Sequence, residues 1–129
     1  MTSIEAAGLW AGLNLFFLVF ISARVGQARM KTKTNLGDGG DPEMIKAIRT
    51  QGNYIEYAPA AVGGLVLMAL LGASTMMVHI FGGVFLFARV SHLLGLGMGV
   101  WPMGRMVGTM LTMLTLAATG GTLLWLALS

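Results

Sequence analysis

Within RTQGNYIEYAP, residues 49–59, Arg49, Asn53 and Glu56 stand at i, i+4 and i+7. A helix advances about 100° per residue, so the three fall within about 60° of one another and form one polar stripe. Such a stripe can do two things. Its charges can neutralise each other as a clamp between helices. Alternatively it can read a zwitterion, with Glu56 taking an ammonium, Arg49 a carboxylate and Asn53 an amide. The chain turns apolar directly afterwards (AAVGGLVLMALLG). The stripe therefore sits at the threshold of a membrane-sized segment, where ionisable groups are costly and face a protein interior or a wet cavity.

Other chemistry-bearing residues gather at the same level. Arg89 and His92 are at i and i+3 and share a helix face. Arg24 closes the first apolar run and Arg105 opens the last. Five groups, Arg24, Arg49, Arg89, His92 and Arg105, are thus expected to meet at one depth from four helices. Snorkelling toward lipid headgroups accounts for any one of them, and headgroup binding stays open as an alternative for the set. His79 lies near the other interface and reads as an ordinary interfacial residue. No spacing of the two histidines suggests a metal site, and the absence of Cys removes thiolate ligands and a protein-borne thiol nucleophile.

The elements that position these groups follow from composition. Of 129 residues, 56% are hydrophobic and only 10% charged, against about 25% charged in a soluble domain. There is too little charge to cover a soluble surface, so the chain reads as an integral membrane protein. A span needs roughly 20 mostly apolar residues. The first runs from about Ala6 to Ala23, with Asn14 its only strongly polar side chain. TNLGDGGDP, residues 34–42, is a loop, and Asp41-Pro42-Glu43 is a helix start with Asp41 as its cap. The second helix carries the stripe and ends near Leu71, with Pro59 expected to kink or loosen it. Gly72-Ala73-Ser74 is a tight turn, and a third helix covers about Thr75–Leu96. The Gly-rich segment 95–104 is a loop, and Met106–Leu128 is the fourth span. The expected fold is all-α, a single domain over residues 1–129 made as a four-transmembrane-helix bundle.

All eight basic residues fall in or beside the two predicted loops at residues 24–49 and 89–105. The positive-inside rule puts both loops in the cytoplasm and both termini on the opposite side. The net charge of +3 then marks cytoplasmic loops, and no nucleic-acid partner is expected. Small-residue spacings at Gly8/Gly12, Gly104/Gly108 and Ala117/Gly121 suggest close helix contacts or simply the Gly usage of membrane helices.

Three pieces match a known family in order and spacing: ISAR (21–24), RTQGNYIEYAP (49–59), and FARVSH (87–92) followed by Arg105. The chain resembles the MAPEG superfamily, the membrane-associated proteins in eicosanoid and glutathione metabolism, and within it the short bacterial members related to microsomal glutathione transferases. The GDGG at 37–40 fits that branch. The resemblance implies a homotrimer of four-helix bundles in a bacterial inner membrane, with glutathione bound as co-substrate between subunits near the cytoplasmic side. It implies that Arg49, Asn53, Glu56 and Tyr57 hold glutathione. It also implies that Arg24, Arg89 and His92 lie in or beside that site, and that Arg105 stabilises the thiolate. A nearby guanidinium lowers a thiol pKa from about 8.5 toward neutrality.

Leu96, Met106 and Gly52 depart from the patterns of the eukaryotic enzymes. They argue against prostaglandin or leukotriene synthesis and leave thiolate activation open. The leading expectation is a glutathione transferase or peroxidase acting on lipophilic electrophiles or hydroperoxides. The alternatives are a non-enzymatic binder of lipids or thiol conjugates and, less closely matched, a small proton-coupled multidrug transporter.

Overall fold

The computed structural model describes residues 1–129 and contains four helices joined by short connections. Helix α1 spans Ser3–Thr32, α2 Pro42–Leu70, α3 Thr75–His92 and α4 Gly104–Leu128, with a π-helical turn at Leu93–Gly97 continuing α3. α1 starts on a capping box: Thr2 accepts from the Glu5 amide while Glu5 accepts from the Thr2 amide. It runs well past Arg24, so that residue closes the apolar segment and not the helix. At 30 residues α1 is about 45 Å long, against a hydrocarbon core of about 30 Å. Asp41 caps α2 through the Glu43 and Met44 amides, as the sequence predicts. α2 remains continuous across Pro59. Gly72 makes the turn into α3 with φ +92°, a backbone conformation that favours glycine.

Three expectations change. Regular α3 ends at His92, and the next five residues form the π turn instead of more helix and then loop. The α4 start contacts this turn so closely that a Cβ on Gly95 would run into the Arg105 backbone amide. Helix α4 also begins two residues early, at Gly104. In addition, α1, α4 and the unit Thr75–Gly97 are the helices both long and apolar enough to cross a membrane. α2 is as long, but Glu43, Lys46, Arg49 and Glu56 lie along it, so its apolarity falls short.

Close backbone contacts join α1 to α2 and α3, and α4 to α3 and α2, while the α1 and α4 backbones do not approach closely. α2 and α3 therefore form the middle of the bundle. Glycines set the closest approaches. Trp10 of α1 lies on Gly82 of α3, where no side chain would fit, and donates through Nε1 to His79 Nδ1 at 3.1 Å. Gly104 and Gly108 let α4 approach the α3 backbone at Ser91 and Ala88. The Gly8/Gly12 spacing has no neighbour within the chain.

The two ends of the bundle differ. Ser3 Oγ donates to Ala73 O at 2.7 Å, which joins the N-terminus to the α2–α3 turn. Arg24 Nη2 donates to Gly97 O at 3.3 Å, which joins the end of the first apolar run to the α3–α4 connection. All eight basic residues belong to this second end or to the loop beyond it, and Glu5 lies at the first.

Candidate functional site

The stripe on α2 divides in two. Asn53 turns inward and is half-buried, while Arg49 and Glu56 are exposed. The one ion pair in the chain joins Lys31 to Glu43 at 3.1 Å. Arg49 and Glu56 are therefore not a clamp within this chain, since neither has a side-chain partner.

Behind the stripe stands Arg89, only 1% exposed. Its Nη2 donates to Asn53 Oδ1 in a short hydrogen bond, its Nη1 donates to Thr112 Oγ1 at 3.1 Å, and the guanidinium carbon lies 5.9 Å from the Tyr57 ring centroid. One cation thus binds an amide and an aromatic of α2 and a hydroxyl of α4. Glu56 lies within electrostatic reach of Arg89, but no carboxylate touches the guanidinium, so a buried charge is held by neutral groups alone. Burial of that kind is costly without good hydrogen bonds. Arg89 Nε has no protein partner.

His92 is buried beside Arg89, 2% exposed, and its Nδ1 lacks a protein partner. It lies close enough to Arg105 to feel its charge. Arg105 is exposed and its guanidinium makes no hydrogen bond in the chain. Arg24, half-buried, lines a cleft between α1 and α2 together with Lys31 and Lys46 and donates to Gly97 O. The structure thus assembles Asn53, Tyr57 and Arg89 by direct contact and puts His92 beside them. It leaves Arg49, Glu56 and Arg105 free at the surface and joins Arg24 to the α3–α4 connection.

Two members of this polar interior were missed in the sequence. Tyr54 is buried and its hydroxyl donates to Asn14 Oδ1 at 2.8 Å, while Asn14 Nδ2 donates to Trp10 O at 2.8 Å. This chain of bonds satisfies the one strongly polar side chain of the first span. Thr112, the α4 anchor of Arg89, is fully buried with Thr115 and Thr119 on the same face. Their i, i+3, i+7 spacing carried a signal that α4 turns this stripe inward.

The arrangement suits a zwitterionic peptide-like ligand. Arg49 offers a guanidinium to a carboxylate and Glu56 a carboxylate to an ammonium. With its oxygen held by Arg89, Asn53 keeps its amide N–H groups for an acceptor. The unpartnered Nδ1 of His92 and Nε of Arg89 add polar capacity just behind the surface.

Comparison with known proteins gives the lineage. The model of the MAPEG family matches residues 7–125. The chain is 40% identical over 89 residues to the inner membrane protein YecN of Escherichia coli strain K12, covering 69% of this chain and 68% of that protein. The same figures hold for YecN of Escherichia coli O6:H1 strain CFT073. No solved structure matches. The family match spans the stripe, the buried arginine and all four helices, and this helical membrane protein belongs to the MAPEG family.

Proposed function

We propose that the chain binds glutathione at the basic end of the bundle and activates its thiol for attack on lipophilic electrophiles or hydroperoxides. The observation that carries this reading is the split stripe. Arg49 and Glu56 are charged, exposed and unpartnered on a helix within a membrane bundle. Ionisable groups so placed mark a protein interface or a ligand. A homotrimer would enclose them between subunits and give the ligand walls from two chains. The positive-inside rule puts this end in the cytoplasm, where glutathione is available.

The roles follow from what each group can reach. Glu56 and Arg49 hold the ammonium and a carboxylate, and Asn53 donates to a carbonyl. Arg105 is exposed and free, and its guanidinium favours the thiolate over the thiol in this reading. Nucleophilic attack then needs no cysteine of the chain's own. The buried polar group of α1, Asn14, is held by Tyr54, and Glu56 lies on the outside of the bundle. The first span therefore carries no carboxylate of the kind that the transporter alternative would use.

Ultraviolet difference absorption of the thiolate tests the reading. Glutathione mixed with detergent-solubilised protein near neutral pH should give a thiolate band that Arg105→Ala abolishes. If wild-type protein binds glutathione without the band, it binds the thiol without activating it. If it does not bind, the reading fails.

A further inference from the structure

Four of the eleven methionines stand on one side of α4 at its basic end: Met103, Met106, Met110 and Met113. At about 100° per residue they fall within about 80° of one another. The helix buries its opposite side. Gly104, Gly108, Thr112, Thr115 and Thr119 are its buried residues, and the centre of that set stands about 180° from the centre of the methionines. The four methionines are accordingly 40% to 58% exposed.

This outward face changes character halfway along. α4 is long and apolar enough to cross a membrane, so the face meets acyl chains. From Met103 to Met113 is about 15 Å, half of a hydrocarbon core of about 30 Å. Over the second half the same face carries Ala117, Gly121, Leu124 and Leu128, with no sulfur. A flexible methionine suits an irregular gap in a core, but these side chains point away from the core of their own chain. Leucine of similar volume would meet lipid equally well, so packing within the chain does not account for the sulfur.

What a thioether adds is a reactive lone pair. Thr109 stands three residues after Met106 and four before Met113, hence on their side of the helix. Its hydroxyl donates to Arg105 O at 2.8 Å, which leaves its oxygen as a hydrogen-bond acceptor beside the thioethers. A hydroperoxide O–H is a donor suited to that acceptor, and its O–O bond is one that a thioether breaks. Arg105 stands about 120° around the helix from the centre of the methionines, so the stripe is separate from the proposed thiol site.

We propose that the α4 methionine stripe reduces membrane-borne lipid hydroperoxides through its own oxidation. A thioether sulfur attacks the terminal peroxide oxygen. An S–O bond forms, the O–O bond breaks, and the hydroperoxide proton ends on the departing alkoxide oxygen. The products are methionine sulfoxide and the lipid alcohol, the sulfur having lost the two electrons that the peroxide gains. One alcohol forms per sulfoxide, and glutathione takes no part.

Peptide mass spectrometry of the full chain in phosphatidylcholine liposomes, without glutathione, tests this with two oxidants: a phosphatidylcholine hydroperoxide and aqueous hydrogen peroxide. The other methionines are internal controls. Met44 and Met68 are fully buried, while Met30 is exposed but lies past Arg24, beyond the apolar run of α1. The lipid hydroperoxide should give about tenfold more sulfoxide at Met106, Met110 and Met113 than at Met44, Met68 or Met30. Hydrogen peroxide should reverse the order of Met30 and the stripe. M106L/M110L/M113L, a volume-conserving change on an outward face, should lose most of the lipid alcohol that the wild-type chain forms. Sulfoxide at the stripe no higher than at Met44 and Met68 would mean that the face is covered and would overturn the proposal. Met30 leading with both oxidants, or an unchanged alcohol yield in the leucine variant, would overturn it too. Because glutathione is absent throughout, failure here leaves the proposed thiol site standing.

Discussion

Helix α2 has two polar faces, and the protein treats them differently. Facing inward, three strongly polar side chains have partners: Tyr54 on Asn14, Gln51 on Ser22 at 2.8 Å, and Asn53 on Arg89. Facing outward, Arg49 and Glu56 have none. Both faces cost desolvation in a membrane bundle, yet the inward groups recover it from neighbours in the same chain. The outward groups need something from outside it. The inward face therefore holds the helices together, and the outward face is available for recognition.

This contrast can be broken most severely at Arg89. Arg89→Ala leaves Asn53 and Thr112 without their shared donor and opens a void, and should cost about 3 kcal/mol of stability. A thermal melt followed by circular dichroism would show it, and a wild-type melt would mean the buried hub holds nothing. Next comes Gly108→Val, whose side chain would collide with the backbone at Ala88 and His92. Separating α3 from α4 there should cost about 2 kcal/mol and release the Thr112 end of the same hub. Tyr54→Phe removes one hydroxyl and leaves the Asn14 oxygen unpaired, at about 1 kcal/mol. Glu56→Gln is the mildest for the fold. On the exposed face it should melt within about 0.5 kcal/mol of wild type, which sharpens the contrast by making the outward group dispensable for stability.

Much of this architecture was legible because it depends on local rules. The Asp41-Pro42-Glu43 cap, the Gly72 turn and the sorting of basic residues to one end are written in short stretches of sequence, and each is present. The spacing rule also put Arg49, Asn53 and Glu56 on one side of α2. It did not show that the Asn53 end of a 60° stripe would be turned under the surface while its other edge stayed out. That depends on Arg89 of α3 reaching Asn53 from a distant segment of the chain. The π turn was illegible for a similar reason. LLGLG fits a helix end or a loop equally well, and its geometry is fixed by the α4 start packed on Gly95. The sequence gathers Arg89 with four other polar groups at one depth, but nothing in its own helix reveals Thr112 on the next.

The most direct measurement is calorimetric titration of glutathione into wild-type and Glu56→Gln protein, with thermal melts of both. The account predicts wild-type binding, at least tenfold weaker binding by Glu56→Gln from loss of one charge-assisted contact worth about 1.4 kcal/mol or more, and matching melts. Equal affinity in the two proteins, or a Glu56→Gln melt as damaged as that of Arg89→Ala, would contradict the division between a structural inner face and a ligand-reading outer one.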